Sequence, residues 1–136
     1  MKPVSLITLI SLIILASCNL EPPYSSYSNV PVHITSLTVP ESGIVNQPVT
    51  FLAVAAAPDG CWMDLKLILT KKEDFKYDLY AVGSYESYGV CPQVEVSRDS
   101  ILTFTPTVAG EYVITTLVDP PITIRRDTVT VTVPGR

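Results

Sequence analysis

Residues 61–83 read CWMDLKLILTKKEDFKYDLYAVG, and they decide the fold. In the first ten, Met63, Leu65, Leu67 and Leu69 fall on one side of an extended chain, and Asp64, Lys66 and Thr70 on the other. In the last nine, Phe75, Tyr77, Leu79 and Ala81 alternate with Lys76, Asp78 and Tyr80. A period of two belongs to a strand with one buried face, whereas a helix repeats every 3.6 residues. The charged stretch KKED (71–74) joins the two runs.

Outward from this pair the pattern persists. Upstream lie VHITSLTV (32–39), a turn with a short edge segment in ESGIVNQ (41–47), and PVTFLAVAAA (48–57), rich in β-branched and aromatic residues. PDG (58–60) is turn chemistry, because proline presets φ and glycine tolerates positive values. Downstream, SYESYGVCP (84–92) reads as a loop, and QVEVS (93–97) and ILTFTP (101–106) as two short strands. GEYVITTLV (110–118) is a further strand, and DTVTVTVP (127–134) sets Val129, Val131 and Val133 on one face. No helical stripe follows residue 18. Some 7–8 strands with turn signals every 8–12 residues define an all-β chain, an antiparallel β-sandwich. Residues 31–134 are enough for one domain with its own core and too few for two.

The first residues are of another kind. Lys2 is the only charge before Glu21, and Val4 to Ala16 are apolar or small hydroxyl residues. That run of 13 residues is short of the ~20 needed to span a bilayer. A basic start, a short apolar run and small residues before a polar segment describe a signal peptide, residues 1–17. Its border, Leu15-Ala16-Ser17-Cys18, resembles the lipobox of bacterial lipoproteins. The resemblance implies cleavage before Cys18, a diacylglyceryl thioether on its sulfur and a further acyl chain on its amino group. One acyl chain binds membranes marginally, while two or three hold firmly. Residues 18–30 are then a lipidated tether, with NLEPPYSSYSNV (19–30) as a spacer partly stiffened by Pro22 and Pro23. The implied location is the bacterial cell envelope, lipid-anchored, the outer membrane favoured, with the periplasmic or outer side open.

A second resemblance lies in FTPTVAGEYVITT (104–116). It looks like the Gly-x-Tyr region of immunoglobulin-like domains, and Tyr112 matches the tyrosine-corner position, whose hydroxyl bonds back to the backbone. The core cysteine of those domains would stand two residues later, where this chain has Ile114, and VTFLAVAAA lacks its strand-B partner. Trp62 lies early in the third strand, where such domains often bury a tryptophan. Residues 36–133 as a whole are similar to small immunoglobulin-like lipoproteins of the Bacteroidetes type. That likeness implies a membrane-anchored, non-catalytic binding or structural module. The alternative is an accessory subunit of an envelope complex or a small inhibitor of a secreted enzyme.

With Cys18 lipidated, Cys61 and Cys91 remain, and in an exported domain an even pair is read as one disulfide. Zinc needs about four suitably spaced ligands, and two distant cysteines with the single His33 supply no metal site. The net charge is −4, and the basic residues Lys71, Lys72, Arg125 and Arg126 stand beside acids, so nucleic acid is no partner. No HExxH, GxSxG or phosphate-cradling glycine loop occurs, and Glu73 and Asp74 belong to a charged connection; no enzyme and no cofactor are expected. Arg125 and Arg126 read as a solvated strand face. The strongest binding candidate is YAVGSYESYG (80–89), where Tyr80, Tyr85 and Tyr88 stand among serine and glycine, the composition of antibody binding loops. Such rings suit a protein or carbohydrate ligand, and the plainer reading is a tyrosine-rich edge covered by its own domain.

Overall fold

The computed structural model describes residues 22–118 and 123–134. The signal segment, Cys18 and the first tether residues lie outside the described residues. Those described form eight strands and no helix: β1 (Ser25–Thr38), β2 (Ser42–Ile44), β3 (Val49–Ala57), β4 (Trp62–Glu73), β5 (Lys76–Ser87), β6 (Val96–Phe104), β7 (Gly110–Val118) and β8 (Thr123–Thr132). The architecture is all-β and sandwich-like.

Two layers share one strand. The β1–β3–β6 ladder makes one, and β2–β8–β7–β5 with β4 on the far side of β5 makes the other. β1 belongs to both: Ser25 to Val32 run along β5, and His33 to Thr38 run along β3. The core fills the space between, from Ile34 of β1, Phe51, Ala53 and Ala55 of β3, Leu79 of β5, Phe104 of β6, Tyr112 and Ile114 of β7, and Val129 and Val131 of β8. Alternation explains who enters: on β3, Val49, Phe51, Ala53 and Ala55 are buried while Thr50 and Leu52 face water. Fully burying one such side chain as Ile114 stabilises by about 1.5–3 kcal/mol.

Five expectations are corrected. The pairing is mixed rather than purely antiparallel, because β2 runs parallel to β8 and β5 parallel to β7. The tight β4–β5 reversal leaves the start of β5 against β7, and Val113 N–H donates to the Phe75 carbonyl at 2.8 Å to seal that contact. The spacer is shorter than 19–30, since β1 starts at Ser25 rather than near residue 31. Likewise 84–87 is strand rather than loop, for Ser25, Ser26 and Tyr27 pair with Ser87, Glu86 and Tyr85. Each extension satisfies the backbone groups of the other, so neither forms alone. Residues 93–97 and 101–106 are not separate strands; β6 runs unbroken from Val96 to Phe104 along the whole of β3. Finally, Met63 leaves the apolar row. Asp64 takes φ 52°, and between the Met63–Ser84 and Lys66–Val82 pairs two residues of β4, Asp64 and Leu65, oppose one of β5, Gly83. This bulge turns Met63 to solvent while Leu65 stays buried.

At one end Phe75, Tyr77, Phe104 and Tyr112 pack ring against ring, with centroids 4.8 Å (Tyr77–Phe104), 5.0 Å (Phe75–Tyr112) and 5.5 Å (Phe104–Tyr112) apart. Gly110 is required here, because a Cβ would stand 2.7 Å from Phe75 Cε1. The Tyr112 hydroxyl donates to the Val108 carbonyl at 2.9 Å, the bond a tyrosine corner makes. Tyr112→Phe is expected to cost about 1 kcal/mol in a denaturant melt, and a neutral result would remove that bond from the account. On the same strand Thr116 is wholly buried and its Oγ1 has no partner. Thr116→Val keeps the shape and removes the orphaned hydroxyl, so it should stabilise by roughly 1 kcal/mol. A loss of stability on calorimetry would show that the hydroxyl is satisfied after all.

Candidate functional site

The opposite end of the sandwich is built around sulfur. Cys61 and Cys91 are bonded, with Cα atoms 5.3 Å apart, and tie the turn before β4 to the loop after β5. The turn is fixed twice more: Asp59 Oδ1 accepts from the Cys61 N–H at 3.0 Å, and Gly60 N–H donates to the Pro92 carbonyl at 2.8 Å. Asp59, Cys61 and Cys91 bring three ligand-type atoms within 4.8 Å of one another. The two sulfurs are consumed by each other, and the carboxylate caps the turn, so the trio is structural.

Around this brace the structure gathers aromatic rings. Tyr85, half-buried, lies 5.4 Å from Trp62 and 6.1 Å from Tyr27, and its hydroxyl is 3.3 Å from Cys91 Sγ. Tyr88, exposed, stacks at 5.0 Å on Tyr24. Both phenols donate to Glu86 Oε1, at 3.1 Å from Tyr24 and 3.2 Å from Tyr88. That bond and the carboxylate's charge hold the Tyr88 hydroxyl above the usual tyrosine range, so the phenol remains a neutral donor. The buried Ser87 accepts from the Gly89 N–H at 3.1 Å and sets the turn that carries Tyr88 outward.

The three tyrosines singled out from sequence are therefore not one site. Tyr85, on β5, and Tyr88, in the turn just after it, share the disulfide end. Tyr80 is exposed farther along β5, opposite Ile68, where it lines a shallow cleft of about 320 Å³ with Asp78, Leu79, Thr115 and Ile124. Tyr24, Tyr27 and Trp62 complete the aromatic end and were not expected there. A signal for the first two exists: two tyrosines among prolines and serines are costly apolar surface in a mere spacer.

A second cleft, of about 390 Å³, opens at the far end between Lys71, Asp74, Phe75, Tyr77, Thr107 and Tyr112. Lys71 Nζ donates to Asp74 Oδ1 at 3.0 Å, which raises its pKa and keeps it charged. Burial pushes the Tyr77 phenol up. The other cations expected beside acids are similarly placed: Lys72 lies 3.7 Å from Asp78, and Arg125 pairs with Asp127 at 2.8 Å while also donating to the Leu37 carbonyl.

No family model matches the chain, and neither a curated protein nor a solved structure does.

Proposed function

We propose that this chain is a lipid-anchored protein of the bacterial envelope whose β-sandwich domain acts as a non-catalytic binding or structural module, working through its aromatic end. The observation that carries the reading is the exposed pair of Tyr88, on the disulfide-braced loop, and Tyr24, at the approach to β1, joined by a shared carboxylate. Rings fixed in place before contact lose little freedom on binding, which is what a recognition surface requires. The anchor comes from the Leu-Ala-Ser-Cys border, and the domain's immunoglobulin-like character from the tyrosine-corner region. Fractionation of cells producing the full chain tests the anchor: the protein is expected with the envelope membranes, and Cys18→Ala in the soluble fraction. An unchanged distribution for the variant overturns it.

The accessory-subunit reading has one observation of its own. β6 ends its layer, and no strand pairs with its outer side among the described residues. Leu52 and Ile101, directly opposite each other in the β3–β6 ladder, are both exposed. An open edge with apolar residues beside it fits strand addition from a partner.

A further inference from the structure

Of the large aromatic side chains exposed among the described residues, three of four stand at the disulfide end: Tyr24 at 57%, Tyr27 at 59% and Tyr88 at 67% of their surface. Two aliphatic side chains join them on the braced loop, Val90 at 86% and Val94 at 57%. The loop sits against Gly60, whose Cβ position would lie 3.3 Å from Val94 Cγ1. This end is also where the chain enters the domain. Pro22 packs on the loop at Gly89, where an added Cβ would come within 2.6 Å of the proline ring. Pro22 stands four chain steps after Cys18, a reach of at most about 14 Å. β5 runs from the far cleft to this end through 12 residues, about 40 Å. An anchor at Cys18 therefore holds the aromatic end near the membrane surface and the Phe75–Tyr112 end far from it.

We propose that the partner of the aromatic end is the bilayer itself: Tyr24, Tyr27, Tyr88, Val90 and Val94 rest in the headgroup layer of the membrane that holds the Cys18 anchor. The proposal deepens the binding role given above and rests on that anchor. Tyrosine suits this layer because its ring is apolar and its hydroxyl needs water or a headgroup, and it is enriched at membrane interfaces for that reason. The covalent anchor pays the entropy of association in advance, so a modest apolar patch suffices. Charge plays no attractive part. Segments 22–30, 58–65 and 84–97 contain no lysine or arginine, and their charged residues are Asp59, Asp64, Glu86 and Glu95. Contact should thus form on zwitterionic lipid, resist salt and gain nothing from anionic lipid.

The test places a single tryptophan as a depth reporter in the full lipidated chain. In a Trp62→Phe background, Tyr88→Trp and Val90→Trp report on the aromatic end, and Val108→Trp, exposed near Tyr112, reports on the far end. Each protein is reconstituted into phosphatidylcholine vesicles with and without brominated acyl chains, after a melt shows that it folds like its parent. The proposal expects most of the emission at positions 88 and 90 to be lost to bromine, in low and high salt alike, and the emission at 108 to persist. Two reporters at the aromatic end keep the result from resting on one variant. Co-flotation with the vesicles reports the anchor separately. Protein that floats with all three reporters unquenched overturns the proposal while leaving the anchor standing, and points the rings toward a water-borne protein or sugar. Protein that does not float overturns both.

Discussion

Phe104→Ala should lower stability by about 3–5 kcal/mol, the largest single-residue effect in this domain. The ring is buried at the end of β6 and touches three others: Tyr77 at 4.8 Å, Tyr112 at 5.5 Å and Phe51 at 6.5 Å. It joins elements from both layers, since Phe51 belongs to β3 while Tyr77 and Tyr112 belong to β5 and β7. Its removal leaves a cavity that Gly110 and the tyrosine-corner turn do not close. A domain of this size has about 5–15 kcal/mol in total, so the variant sits near the edge of folding. Urea melts of variant and parent measure the loss. A shift below about 1 kcal/mol would mean that the aromatic end cluster is a surface feature and that the two layers are held elsewhere.

Reduction of the Cys61–Cys91 bond should cost roughly 3–4 kcal/mol by the chain-entropy argument for a separation of 30 residues. The loss is not spread evenly. The bond fixes the loop that carries Tyr88, and that loop supports the last pairs of β5 with β1, Tyr27 with Tyr85 and Ser25 with Ser87. Amide exchange after reduction should therefore rise first in Ser25 to Tyr27 and in Tyr85 to Ser87. The β7–β8 ladder, nine residues deep and away from the bond, should keep its protection longest. Unchanged thermal unfolding and unchanged exchange on reduction would contradict the bracing role given to the bond.

The strand content was legible because each strand has its own period. β3, β5 and β8 carry alternation strong enough to announce which face is buried, and Leu79, Ala81, Val129 and Val131 lie where alternation puts them. The shortened strand ends have one source. In β1 and β5, SSYSN and SYES look like spacer and loop, and what makes them strands is pairing with each other across more than fifty residues of sequence. Tertiary hydrogen bonding overrode a weak local signal. The parallel contact of β5 with β7 was illegible for the same reason, since alternation fixes faces and leaves neighbours open. The Asp64 bulge is a local device: a single residue at positive φ reverses the facing of Met63, which no period-two count foresees.

For the candidate site, the sequence places Tyr80, Tyr85 and Tyr88 in one stretch, and the fold separates them. Tyr85 and Tyr88 belong together through the disulfide, whereas Tyr80 lies several residues back along the strand on another cleft. The partners Tyr24, Tyr27 and Trp62 come from two other strands or their approach, so only the folded chain unites them.

The account stands on Cys18 as the point of attachment, and intact-mass spectrometry of the detergent-extracted protein tests this directly. The expected species begins at Cys18, lacks residues 1–17, and is heavier than the bare polypeptide by a diacylglyceryl group, with or without a further acyl chain. A chain that retains Lys2, or one that begins at Cys18 without added lipid, would contradict it.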